Sequence, residues 1–166
     1  MTARRARRFW PLALIILLAD CATKRLAEQN LPVGMPRRIA GELLQFTLTY
    51  NTGAVFGIPL GEAGRVLLIL VALGVLALLV AMYRQTDETD WWRTVSLALL
   101  CAGAVGNLLD RLRSPRGVVD FIDVGLGAHR FWTFNVADMA VTVGAFMLAF
   151  SLWREERERP SSGARA

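Results

Sequence analysis

Between Gly103 and Asp138 the chain reads Gly-Ala-Val-Gly-Asn-Leu-Leu-Asp-Arg, then Gly-Val-Val-Asp-Phe-Ile-Asp-Val, then Phe-Asn-Val-Ala-Asp. This sets Asp110, Arg111, Asp120, Asp123 and Asp138 between and against apolar segments. A charge beside hydrocarbon is costly, so carboxylates in such sequence are functional candidates. Two carboxyls held close in a partly dry site cannot readily both ionise, so one keeps a proton while the other can act as a base. Such a pair can activate a water for attack on an amide carbonyl and return a proton to the leaving nitrogen. The chemistry needs no metal, serine or cysteine, and neither Cys21 nor any serine stands near the lone histidine, His129, in a triad-like pattern.

The surroundings favour two of these aspartates. Asp120 follows Gly-Val-Val and precedes Phe-Ile, so its environment is apolar and its pKa should rise. Asp138 follows Asn135, a good helix N-cap, and the partial positive charge of a helix start favours a carboxylate there. Environments that push two carboxyls apart mark an acid and base pair, which is expected to titrate as a unit. Asp110, followed directly by Arg111, reads as part of a salt-bridged support, and Asp123 as a solvated loop residue.

The elements that must position these residues follow from composition. The chain has 166 residues, 54% of them hydrophobic, and a formal net charge of +5. With a mean hydropathy of +0.40 it reads as a small polytopic membrane protein. The arginine-dense tails suit an anionic membrane face, and no aromatic-interleaved basic patch of the RNA-binding kind occurs, so no nucleic-acid partner is expected. Two cysteines in apolar surroundings, Cys21 and Cys101, argue against a disulfide framework or a zinc site.

The expected fold class is an all-α membrane protein of four transmembrane helices with a small extracytoplasmic β or loop element. A span needs roughly 20 residues in helix. The expected spans are about 9–28, 65–83, 92–109 and 136–153, within one membrane domain over 1–155, and 156–166 is expected to be a flexible cytoplasmic tail. In the first span Asp20 and Lys24 fall on one helix face and can pair. In the third, Gly103 and Gly106 let another backbone come close. Gln45 to Tyr50 alternates like a half-exposed strand, whose edge could pair with an extended peptide, and it leads into the turn-rich Asn51 to Gly57. Four spans put both termini on one side, and the basic tails make it the cytoplasm. Asp20, Lys24, Asn51, Asn107, Asp110, Arg111, Asp120 and Asp138 then gather at the outer face.

On these residues alone other readings stand. The basic start and Leu18-Ala19-Asp20-Cys21 look like a bacterial lipoprotein signal peptide, although that cleavage box wants a small residue where Asp20 stands. A metal-dependent membrane transferase could hold Mg2+ on Asp110, Asp120, Asp123 and Asp138. A proton-coupled transporter would line a path through the bilayer with such groups. The blandest reading is a membrane subunit whose aspartates only pair with Arg111, Arg113 and Arg116.

Five blocks together resemble the lipoprotein signal peptidase family, also called signal peptidase II. They are Asp-x-x-Thr-Lys at 20–24, Asn-x-Gly-Ala-x-Phe-Gly at 51–57, Gly-Asn-Leu-Leu-Asp-Arg at 106–111, Val-Asp-Phe at 119–121 and Phe-Asn-Val-Ala-Asp at 134–138. The resemblance implies an aspartyl endopeptidase, without cofactor or metal, of the bacterial cytoplasmic membrane. Its substrate would be a prolipoprotein bearing diacylglycerol on a cysteine, cut on the amino side of that cysteine; apart from the resemblance, a monomer among membrane lipids is expected. The family's catalytic aspartates fall on Asp120 and Asp138. Asn51, Asn107, Arg111 and Asn135 match positions that line or brace the site, and Asp20, Lys24 and Asp110 match supporting ones.

Overall fold

The long apolar runs form helices whose hydrogen-bond ladders carry them beyond the apolar stretch. The computed structural model describes residues 3–53 and 61–158. Its helices are α1 (Ala3–Asn30), α2 (Gly61–Gln85), α3 (Trp91–Arg113) and α4 (Val136–Glu158), each longer than the span expected of it. Residues 156–158, expected in the tail, are the last of α4, and 159–166 lie outside the described residues.

The helices alternate in direction. Arg5 at the start of α1 donates to the carbonyl of Thr86 just beyond α2 and stacks over Tyr83, and Arg93 at the start of α3 pairs with Glu155 near the end of α4 at 3.3 Å. α3 is central and packs on the other three. The close approach expected of its glycines is present: a Cβ at Gly103 would strike the Ala137 carbonyl of α4, and Gly144 of α4 lies against Ser96 and Leu100.

The surface is apolar where a soluble protein would be polar. Leu67, Leu70, Val71 and Leu78 of α2, with Phe146 and Phe150 of α4, are exposed, a surface suited to hydrocarbon. Three helical stretches are long and apolar enough to cross a membrane: Gly61–Gln85, Trp91–Arg113 and Val136–Arg157. α1 is outside that set, and its second half carries Asp20, Lys24, Arg25 and Glu28.

The polar connections build more sheet than expected. β1 (Arg37–Ala40), β2 (Leu44–Asn51), β3 (Val118–Leu126) and β4 (His129–Arg130) form one antiparallel sheet in the order β1-β2-β3-β4. Two sequence expectations are corrected here. Asp123, expected in a loop, lies with Asp120 on β3. The Gln45–Tyr50 strand, β2, is interior and offers no free edge over its first half, because β1 covers Leu44 to Phe46 and Val33 bridges to Leu48.

The β2–β3 register pairs Phe46 with Ile122 and then Thr49 with Asp120, so Thr47 and Leu48 oppose Phe121 alone. This bulge accommodates an acidic residue in an otherwise apolar strand. Alternation turns Val119 and Phe121 into a core with Ala27, Leu31 and Leu48, while Asp120 faces Asn135. A second core joins Phe9, Leu79, Tyr83, Leu97, Ala98 and Cys101. Along α1 a polar layer at Asp20 and Lys24 separates the two.

Candidate active site

The start of α4 organises the polar layer. Asn135 Oδ1 accepts from the Asp138 N–H at 2.9 Å, and Asp138 Oδ2 accepts from the Asn135 N–H at 3.2 Å. This is the reciprocal capping arrangement that satisfies two otherwise orphaned groups at a helix start. A third, the N–H of Ala137, is satisfied from another helix by Asp20 Oδ1 at 2.9 Å. Gly106 makes that possible, since a Cβ there would lie 2.5 Å from Asp20 Oδ2.

Asn135 also joins the two favoured aspartates. Its Nδ2 donates to Asp120 Oδ1 at 2.6 Å while its backbone and Oδ1 hold Asp138. Asn107 holds the other oxygen of Asp138 through Nδ2 at 2.8 Å, and its Oδ1 accepts from Lys24 Nζ at 3.0 Å and from Asn135 Nδ2 at 3.2 Å. The Lys24 ammonium thereby decides which way the Asn107 amide points, because only its Oδ1 can face a cation. Lys24 in turn sits between Asp20 and Asp110, each at 2.8 Å.

Asp120 is 2% exposed. Burial pushes its carboxyl up to about 6, the charge of Asp138 adds to the rise, and hydrogen bonds from Asn135 and Asn51 oppose it. This matches the apolar environment expected for Asp120. Among the described residues the ion pairs of this region go to Asp20, Asp110 and Asp123, and none to Asp120 or Asp138.

Several sequence assignments change. Asp110 pairs with Lys24 of α1 and accepts from the Val119 N–H at 3.3 Å, and its expected partner Arg111 is not its ion pair. Adjacent helical residues point apart, so a bridge between 110 and 111 was geometrically unfavourable. Arg111 donates to the Asn107 carbonyl at 3.2 Å, its charge acts on Asp120, Asp138 and Asp110, and it borders a pocket of about 200 Å³ with Thr52, Glu62 and Arg65. Asp123 is buried, not solvated: Arg130 Nε meets it at 2.6 Å and Thr47 Oγ1 donates to it at 2.8 Å. Asn51 ends β2, where it bonds Asp120 and accepts from the Gly53 N–H at 2.9 Å. The rest of its block, 54–57, lies outside the described residues.

One feature went unread in the sequence. Thr49 and Thr133 join their hydroxyls at 2.6 Å beside the Asp120 strand pair, and Thr49 also reaches the Asp120 carbonyl at 3.5 Å. The alternation of β2 put Thr49 on a definite face, but only the register with β3 brings it to Asp120.

Known proteins resemble the chain over most of its length. The family model described as signal peptidase (SPase) II matches residues 12–154. The lipoprotein signal peptidase of Pseudomonas putida is 40% identical over 149 residues, covering 88% of this chain and 86% of its own. That of Coxiella burnetii is 37% identical over 153 residues, covering 89% and 93%. A solved bacterial membrane enzyme superposes with a TM-score of 0.80 at 26% identity, covering 93% of this chain and 92% of that one. Alike in sequence over nearly the whole length and in fold to a membrane enzyme, the chain belongs to the signal peptidase II family.

Proposed function

We propose that this protein is a membrane aspartyl endopeptidase that removes the signal peptide from diacylglyceryl-modified prolipoproteins, cutting on the amino side of the lipidated cysteine. The observation that carries the reading is the Asn135 side chain and backbone holding Asp120 and Asp138 together, with no cation paired to either among the described residues. Two carboxyls so arranged share one proton. The buried Asp120, raised to about 6, is suited to retain it. Asp138, whose two oxygens accept from Asn107 and Asn135, is held rigidly to draw a proton from a water between the pair. That water attacks the scissile carbonyl, and the shared proton passes to the departing cysteine nitrogen. The Asp20–Lys24–Asp110 layer keeps Asn107 and the start of α4 in register with β3.

The protein crosses the bacterial cytoplasmic membrane four times in this reading, with both termini in the cytoplasm and the dyad at the outer face. The burial of Asp20 and Lys24, at 0% and 3% exposure, supports α1 as a span beside the three more apolar helices, since these two charges turn inward to each other and away from lipid. The substrate's diacylglyceryl anchor, at roughly 0.8 kcal/mol per buried CH2, would hold the scissile bond at that boundary.

The test is purified protein in detergent with lipidated and unlipidated precursor peptides of one sequence. Cleavage of the lipidated peptide alone, undiminished by a chelator, is expected. Failure to cut it, with the protein folded, contradicts the proposal, and loss of activity on chelation would favour the metal-dependent alternative.

A further inference from the structure

We propose that a groove between the end of α1 and the sheet holds one acyl chain of an anionic membrane phospholipid, with the headgroup phosphate on Arg37. The groove has a volume of about 340 Å³ and is walled by Leu26 and Ala27 of α1, Ile39 of β1, and Phe46 with Phe121. The two rings meet edge to face at 5.8 Å and close its floor. At the ~30 Å³ of a water-sized group, the space takes roughly ten methylenes.

The polar groups around it are not equivalent. Thr23 spends its hydroxyl on the Ala19 carbonyl at 2.7 Å, and Asn30 its amide on the Leu26 carbonyl at 2.8 Å. That leaves Arg37 as the charged member of the wall, with Arg38 next to it on an exposed strand. Among the described residues neither arginine is in an ion pair. An arginine fork at the mouth of an apolar groove is complementary to a phosphate ester on a hydrocarbon chain.

The approach to the groove is continuous with lipid. Leu14, Leu18, Ala22 and Leu26, in four-residue steps that wind slowly around α1, are exposed. A chain standing in the bilayer beside α1 can therefore slide into the groove without crossing polar surface. Val33, Met35 and Leu43, exposed around Arg37 and Arg38, complete the mixed apolar and basic surface that favours anionic bilayers.

This site is not the dyad. Phe121 and Asp120 are successive on β3 and face opposite ways, so the groove lies behind the strand that carries the carboxyl. The inference is accordingly independent of the proteolytic reading, and the Asp120→Asn variant should bind the lipid as wild type does.

Native mass spectrometry of the delipidated full chain in detergent tests it, with phosphatidylglycerol and phosphatidylcholine of identical acyl chains. A single phosphatidylglycerol should bind, preferred over phosphatidylcholine by roughly tenfold or more. The Arg37→Gln/Arg38→Gln pair should abolish the preference, and Ile39→Asp, at an exposed strand position that leaves the fold intact, should weaken both lipids. Equal binding of the two lipids by wild type, or an unchanged preference in the arginine variant, would overturn the proposal. So would displacement by glycerophosphate as effective as by the lipid, which would mean a phosphate site without an acyl chain. Stoichiometric displacement by a diacylated precursor peptide would assign the groove to the substrate's chain and equally overturn it.

Discussion

Replacing Asp120 by asparagine should remove a specific pH dependence from stability. In the folded protein this carboxyl is raised from 3.8 to about 6, chiefly by burial and then by the charge of Asp138. A folded-state pKa above the unfolded one means that the native state binds the proton more tightly. The contribution is therefore full below pH 3.8 and is lost as pH rises through about 6. The rise from 3.8 to about 6, at ~1.36 kcal/mol for each tenfold change in proton affinity, is about 3 kcal/mol. For a chain of this size that is about 6–12 °C in Tm. Thermal unfolding in detergent, followed by tryptophan fluorescence from pH 4 to pH 7.5, isolates the effect as the difference between variant and wild type, since the other carboxylates titrate in both. The difference should move in the variant's favour by that amount between pH 4 and pH 7. In an Asp138→Asn background the same change should be smaller and centred at lower pH, because one cause of the raised value is gone. A difference that stays flat across this range would refute the burial and coupling assigned to Asp120.

Other outcomes follow from the same layer. Lys24→Met leaves the carboxylates of Asp20 and Asp110, 1% and 13% exposed, without their cation, and should cost about 3–5 kcal/mol by denaturant titration. Asn135→Ala removes the α4 cap, worth about 1 kcal/mol, and takes the buried amide from Asp120, which adds about 1–3 kcal/mol; it should lower kcat much more than it alters KM. Gly106→Ala drives a methyl onto Asp20 Oδ2 and should destabilise by about 1–3 kcal/mol. Gly74→Ala in α2, where a Cβ meets nothing within 4 Å, should stabilise by roughly 0.5–1 kcal/mol in the same melting assay.

What was legible in the sequence was what depends on local spacing. The pairing of Asp20 with Lys24 follows from four-residue helical spacing, the cap at Asn135 from residue type before an apolar run, and the close packing at Gly103 from the absence of a side chain. What was not legible depends on partners far apart in the chain. The acidic residues of β3 stand three apart, a spacing that fits neither alternation nor a uniform apolar run. The strand is recognisable only once β2 and its bulge set the register. Asp110 looked bound to its sequence neighbour, yet its cation comes from α1, and Asp123 looked solvated until Arg130 and Thr47 closed over it. α1 stands outside the apolar set because it carries Asp20, Lys24, Arg25 and Glu28, and composition does not register that Lys24 pairs with Asp20 on its own helix and with Asp110 of α3.

The most direct measurement of the central claim is single-turnover cleavage of a lipidated precursor by wild type, Asp120→Asn, Asp138→Asn and the double variant, each shown to be folded. Two carboxyls acting as one unit predict that either single substitution lowers the rate by roughly 10³-fold and that the double variant falls little further. A single variant cleaving within about tenfold of wild type, or rate losses that multiply in the double variant, would contradict a shared water between Asp120 and Asp138.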